Sequence, residues 1–137
     1  DIGASLLLES INEFSKIKKH RNKIYEIYSK NINNNNKITY LKNNDTKSNC
    51  VMWLFTILTP YKDLLQKKLR QLKIETNQVH FRNDRYSIFK KFTKNKKFPN
   101  MQKLQNQYLV LPMHTKMSFS DAMNISRKIN LIIKQIK

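Results

Sequence analysis

Glycine is all but missing from this chain, with a single residue in 137, and cysteine is equally scarce at one; prolines number three, and 9 acidic side chains face 27 basic ones. Each scarcity excludes something. One cysteine, Cys50, can form neither an internal disulfide nor a cysteine-based zinc site, which fits a reducing compartment, and a buried structural thiol is its expected role. Without glycine there is no Gly-rich phosphate loop. A membrane span of about 20 apolar residues is missing too: the longest run, CVMWLFTIL at 50–58, falls far short, and the opening DIGASLLLES lacks the basic region of a secretory leader. The expectation is a soluble, cytoplasmic protein with no membrane partner. The chain starts at Asp1 rather than methionine and opens inside a helical pattern, so a piece of a longer chain is expected.

What is present is charge and enough apolar mass for one core. The net charge is +18 with a pI near 10.1, and on charge alone nucleic acid is the first partner to consider. The lysines, however, travel with asparagine and isoleucine, as in NINNNNKITYLKNN and FTKNKKFPN, which reads as a chain-wide compositional drift rather than a built patch. Hydrophobic residues make up 39%, with seven Phe and six Tyr, so residues 1–137 are expected to form a single domain. A basic nucleic-acid-binding module stays as an alternative, with Tyr25, Tyr28, Tyr86 and Phe89 as stacking candidates, although these rings mostly fall on core-facing positions. A third possibility is an architectural piece that dimerises through the first helix.

The periodicity predicts one long amphipathic helix from Ile2 to about Asn31, with Leu7, Ile11, Phe14, Ile17, Ile24, Tyr25 and Tyr28 on its apolar side. NINNNN ends it, because asparagine accepts left-handed backbone and offers local hydrogen bonds. KITYLK reads as a short edge strand and CVMWLFTIL as a buried strand. In TPYKDLLQKKLRQL, Thr59 can cap and Pro60 suits a first turn, and Tyr61, Leu64, Leu65, Leu69 and Leu72 make a helical stripe. KIETNQVHF alternates as a strand, RYSIFKKF is a short helix, MQKLQNQY has helical spacing, and YLVLP is a strand stopped by Pro112. The last segment begins with Ser118 three residues before Asp121, approximating a capping box, and places Ala122, Ile125, Ile129, Ile132, Ile133 and Ile136 on one side. The fold class is α/β: a small sheet covered by helices.

The search for chemistry is mostly negative. There is no HExxH, EF-hand or paired-carboxylate pattern, and His20, His80 and His114 lie far apart, so no metal site and no catalytic residue is assigned. What remains is NQVHFRNDRYSIF, residues 77–89. Arginine offers paired donors to phosphate or carboxylate, and histidine and tyrosine can orient sugar or phosphate oxygens just past a strand's end. The other reading is that Asp84 pairs with Arg82 or Arg85 and stitches the loop to the sheet. The residues alone leave both open.

Four stretches in order, DIGASLLLESINEFSKIKKHRNKIYEIY, MWLFTIL, LLQKKLRQLKIETNQVHFRNDRYSIF and YLVLPMHTKMS, resemble the carboxyl-terminal part of the DegT/DnrJ/StrS-type sugar aminotransferases. In that family an opening of D-I-x-A-A type begins a long helix, here Asp1, Ile2, Ala4 and Ser5. An aromatic-rich strand follows, matching Trp53 to Leu58, then a phrase like G-I-x-T-x-x-H-Y and finally L-P-L-H, here Leu111 to His114. The resemblance implies the small carboxyl-terminal domain of a fold-type-I enzyme whose large domain, absent from this sequence, binds pyridoxal 5'-phosphate through a lysine. It further implies transfer of an amino group from glutamate to a nucleotide-linked keto-deoxysugar in polysaccharide or amino-sugar biosynthesis, a homodimer, and no turnover by this chain alone. Carried over residue by residue, it places His80, Arg82, Asn83, Asp84, Arg85 and Tyr86 on the substrate side, with Arg82 and Arg85 as candidates for diphosphate contact. The chain departs from the pattern in reading R-N-D-R after His80 and Phe81, and in having Lys73 where the family has glycine.

Overall fold

In a computed structural model, residues 2–42 and 50–136 are described. Helix α1 spans Ile2–Asn31 and is followed by β1, Thr39–Tyr40, and β2, Phe55–Leu58. Helix α2 is Lys62–Gln71; a looped region then carries two 3-10 turns, α3 (Lys90–Thr93) and α4 (Pro99–Gln105), before β3, Tyr108–Leu111, and α5, Phe119–Gln135. The strands form one antiparallel sheet in the order β1-β2-β3, with Phe55 opposite Leu111 and Ile57 opposite Leu109. Alternation along the pleat puts Phe55, Ile57, Leu109 and Leu111 on one face, all buried with Ile24 and Tyr28 of α1, Leu65 and Leu69 of α2 and the isoleucines of α5. Among the described residues no helix is long and apolar enough to cross a membrane.

The last helix follows its sequence closely. Ser118 accepts from the Asp121 N–H while Asp121 accepts from the Ser118 N–H, a complete capping box worth about 1 kcal/mol. Ala122, Ile125, Ile129, Ile132, Ile133 and Ile136 are all buried. Asparagine does the turning after α1: the Asn130 side chain accepts from Asn33 N–H and donates to the Asn31 carbonyl, and Asn35 Oδ1 accepts from the N–H groups of Lys37 and Ile38. Tyr28, fully buried, ties α1 to the chain after β3 by donating its hydroxyl to the Pro112 carbonyl at 2.8 Å; burial first, and the charge of Asp121 second, raise its pKa.

Several expectations are corrected. The strand read into KIETNQVHF shrinks to a single bridge between Asn77 and Val110, because polar Gln78, His80 and their neighbours find no further ladder partner beside β3. The buried strand at 50–58 is strand only at 55–58. Cys50 is exposed, five residues beyond the last paired rung, where no strand among the described residues pairs with it. Thr59 does not cap α2, whose N-cap is Tyr61, although Thr59 Oγ1 accepts from the Tyr61 N–H. Leu64 on α2 and Leu72 at its C-cap, and Met101 and Leu104 on α4, stand exposed despite their helical spacing, and RYSIFKKF forms 3-10 turns leading into one α-helical turn. Tyr86 and Phe89 are exposed as well, while only Tyr28 of the four ring candidates is buried. The stripe on α1 is buried only at Ile24 and Tyr28.

Helix α2 ends in a Schellman motif: Ile74 N–H returns to the Leu69 carbonyl and Lys73 N–H to the Arg70 carbonyl, both at 2.9 Å. Lys73 pays for this with φ of 59°, a left-handed conformation that a Cβ disfavours. Lys73→Gly is therefore expected to stabilise the fold by about 0.5–1 kcal/mol, less than the full left-handed penalty because glycine also loosens the unfolded chain. The thermal midpoint should rise by about 2–4 °C. A midpoint that stays put or falls would show this residue to be unstrained.

Candidate functional site

The segment after α2 reaches its position through β3. Asn77 exchanges backbone hydrogen bonds with Val110, and the Gln78 side chain donates to the carbonyls of Gln105 and Tyr108. Next, the Tyr108 hydroxyl donates to the His80 carbonyl at 2.8 Å and accepts from its N–H at 3.3 Å. The backbone of His80 is pinned while its imidazole stays exposed, edge-on to Trp53 with ring centroids 6.1 Å apart. Trp53 is 61% exposed, an unusual state for an indole, and its carbonyl accepts from Nη1 of Arg21 on α1 at 3.1 Å.

The R-N-D-R turn comes next. Arg82 grips Asp84 through two bonds, Nε to Oδ1 at 2.8 Å and Nη2 to Oδ2 at 2.6 Å, with the two side chains only 10% and 14% exposed. The hydrogen bond from Arg82 holds the Asp84 carboxyl below the usual carboxylate range against the opposing effect of burial, and the same bond raises Arg82. Gln102 of α4 adds a second tie: its Oε1 accepts Nη1–H of Arg82 at 2.6 Å and Nη2–H of Arg85 at 3.1 Å.

All six residues singled out from the sequence thus sit in one loop, in two different states. Arg82 and Asp84 form the ion pair that one of the two readings expected, but it lies within the loop and is joined to α4 through Gln102 rather than to the sheet. His80, Asn83, Arg85 and Tyr86 are exposed, with the Tyr86 ring edge-on to Phe81 at 5.1 Å. Three neighbours escaped sequence reasoning: Trp53, read as part of a buried strand, and Tyr108 and Gln102, which carry no motif. Among the described residues the stretch 53–54 has no strand partner, and the ladder begins only at Phe55.

A cleft of about 1110 Å³ lies elsewhere, between α2, residues 112–117 and the start of α5. Lys67, Arg70, Lys73, Lys116 and Lys128 line it against Asp63, Glu75 and Asp121, an excess of base no denser than that of the chain as a whole. It holds none of the six loop residues, and its charge singles out no ligand.

Comparison with known proteins adds three findings. The family model of the DegT/DnrJ/EryC1/StrS aminotransferase family matches residues 1–130. Among solved structures, DesV from S. venezuelae superposes with a TM-score of 0.86 at 16% identity, covering 98% of this chain and 36% of that one. Spr1654 from Streptococcus pneumoniae in its PLP form gives 0.84 at 16% identity, over 98% of this chain and 36% of that one. Helicobacter pylori PseC, an aminotransferase involved in the biosynthesis of pseudoaminic acid, gives 0.80 at 17%, over 94% and 36%. The chain therefore spans about a third of the length of the solved structures it matches. No curated protein matches it.

Proposed function

Because the chain belongs to the DegT/DnrJ/EryC1/StrS aminotransferase family, we propose that it is the carboxyl-terminal part of a pyridoxal-phosphate-dependent transaminase. That enzyme moves an amino group from glutamate to a nucleotide-linked keto-deoxysugar in polysaccharide or amino-sugar biosynthesis. In this reading segment 80–86 is the substrate side of the active site, completed by a large domain and a second copy in a cytoplasmic homodimer.

One observation carries the proposal. The loop sits at the border between the covered and the uncovered parts of α1: Ile24 and Tyr28 are buried and Phe14 and Ile11 are exposed, while Arg21, between them, holds the Trp53 carbonyl beside His80. Apolar side chains left bare along a helix mark a surface that another body covers. A domain seated on α1 would close over His80 and Trp53, excluding water from whatever lies between.

Within that pocket the residues divide their work. Arg85 supplies charge-assisted donors to a diphosphate, which suits a planar guanidinium better than a lysine. His80 and Tyr86 offer a ring nitrogen and a hydroxyl to the sugar, and Asn83 an exposed amide. Arg82, with Asp84 on one edge and Gln102 on the other, shapes the loop.

In this reading the cofactor itself belongs to the large domain. Pyridoxal phosphate needs a lysine amine free to form an imine and a cradle for its phosphate. Among the described residues, Lys37 gives its ammonium to the Ile136 carbonyl, and Lys62, 14% exposed, gives its own to Gln105 and Asp63. No step through the cofactor is derived from this chain, and by itself it is expected not to turn over substrate.

Joining the chain to the cofactor domain of a sugar aminotransferase tests the reading. Glutamate-dependent amino transfer to a nucleotide-linked keto-sugar is the expected result, and its absence overturns the assignment. In the joined protein Arg85→Ala should raise KM about 10- to 100-fold, the weight of one lost hydrogen bond to a charged group. An unchanged KM removes Arg85 from the substrate.

A further inference from the structure

Gln102 carries no motif, yet it organises the charge of the loop. Guanidinium groups only donate, so the amide oxygen of Gln102 is the end that meets both arginines, and its nitrogen turns to Asn106 Oδ1 at 3.3 Å. Two cations drawn onto one neutral oxygen repel each other, and Asp84 offsets one of them through its paired bond with Arg82. Arg85 makes no bond to that carboxylate and is offset by it only at a distance. Apart from the one N–H given to Gln102, its side-chain donors have no acceptor among the described residues. A neutral amide at this place therefore holds a guanidinium still without neutralising it.

We propose that Gln102 is the positioning residue of an anion clamp, holding Arg85 against the Arg82–Asp84 pair so that the free N–H groups of Arg85 bind the diphosphate of a nucleotide-linked substrate. The inference rests on the transaminase reading above and adds to it the residue that presents the arginine. Holding the donors in place before the ligand arrives lowers the ordering cost of binding, which for a long, flexible side chain is appreciable. The amide's neutrality is the essential property. A carboxylate there would tie the loop at least as firmly while cancelling the charge the anion seeks.

That difference gives the test. Chain 1–137, labelled with ¹⁵N, is titrated with inorganic pyrophosphate at constant ionic strength, and the Arg85 Nε–Hε resonance is followed. A site-specific signal is needed because lysines scattered over a chain of net charge +18 all attract the anion weakly. The wild type should show a saturable shift. Gln102→Glu should keep the thermal midpoint and the dispersion of the loop resonances while weakening pyrophosphate at least tenfold. Gln102→Ala should weaken it several-fold and broaden the Arg85 signal. A purely structural role predicts the reverse for Gln102→Glu, with binding retained along with the fold. If the wild type binds through Arg85 and Gln102→Glu binds equally well, the clamp is overturned and the contact of Arg85 with diphosphate stands. If the Arg85 resonance ignores pyrophosphate altogether, both fall, whereas amino transfer by the joined protein would still uphold the transaminase assignment.

Discussion

Phe55→Ala is expected to remove about 3–5 kcal/mol of stability, a large part of the 5–15 kcal/mol that holds a typical domain together. Phe55 is 1% exposed at the start of the central strand. Its ring meets those of Tyr25 at 5.1 Å, Tyr28 at 5.0 Å and Tyr40 at 5.3 Å, so it joins α1, β1 and β2 through one side chain. Two effects add. The transfer of the ring from water is lost, and a cavity opens among rings that cannot collapse into it, because all three are tied: Tyr25 to the Leu41 carbonyl, Tyr28 to the Pro112 carbonyl and Tyr40 to the Ser29 carbonyl. The aromatic contacts contribute about 0.5–1.5 kcal/mol each beyond area. Urea denaturation of both proteins measures the loss directly. A loss under about 1 kcal/mol, the range of a well-tolerated volume-conserving change, would mean that the core is not organised around this ring.

The second large effect concerns α1 and has two opposite arms. Leu7, Ile11 and Phe14 are 61%, 58% and 51% exposed, so replacing all three by glutamate should leave the isolated chain within about 0.5 kcal/mol per site of its original stability, as for surface positions generally. In the protein joined to a cofactor domain, the same change forfeits about 1.5–3 kcal/mol for each apolar side chain that the new interface would bury. It also forces three carboxylates into that interface. The sum corresponds to more than a thousandfold loss of productive docking, read as loss of amino transfer and as separation of the two bodies under limited proteolysis. Full activity in the triple variant would mean that the cofactor domain does not use this face. A large loss of stability in the isolated chain would mean instead that the stripe is packed within it.

Helix α5 shows how far local information reaches. Its capping box, its apolar side and its partnership with the sheet are all written in the spacing of Ser118, Asp121 and the isoleucines that follow, because a cap is closed by groups three residues apart and a stripe by groups three or four apart. Strand β3 and the body of α2 were legible for the same reason. Tyr86, Phe89, Leu7 and Cys50 were not, since apolar character says that a residue can be buried and leaves open whether anything arrives to bury it. The alternation in KIETNQVHF likewise describes a strand that could pair, and beside β3 only Asn77 found a partner.

The loop divides in the same way. The order of motifs along the chain pointed to the family by resemblance and singled out one segment: a histidine, two arginines, an aspartate and a tyrosine placed after an α2-like helix. Which arginine pairs with Asp84 depended on the tertiary structure, because two guanidinium groups and one carboxylate within four residues can pair in more than one way. Two residues from further along the chain complete the arrangement: Gln102, on a helix about twenty residues on, meets both guanidinium groups, and Tyr108 anchors the backbone of His80 from β3. Electrostatic pairing and burial act through space, and the sequence order does not contain those distances until the sheet and its helices have brought the segments together.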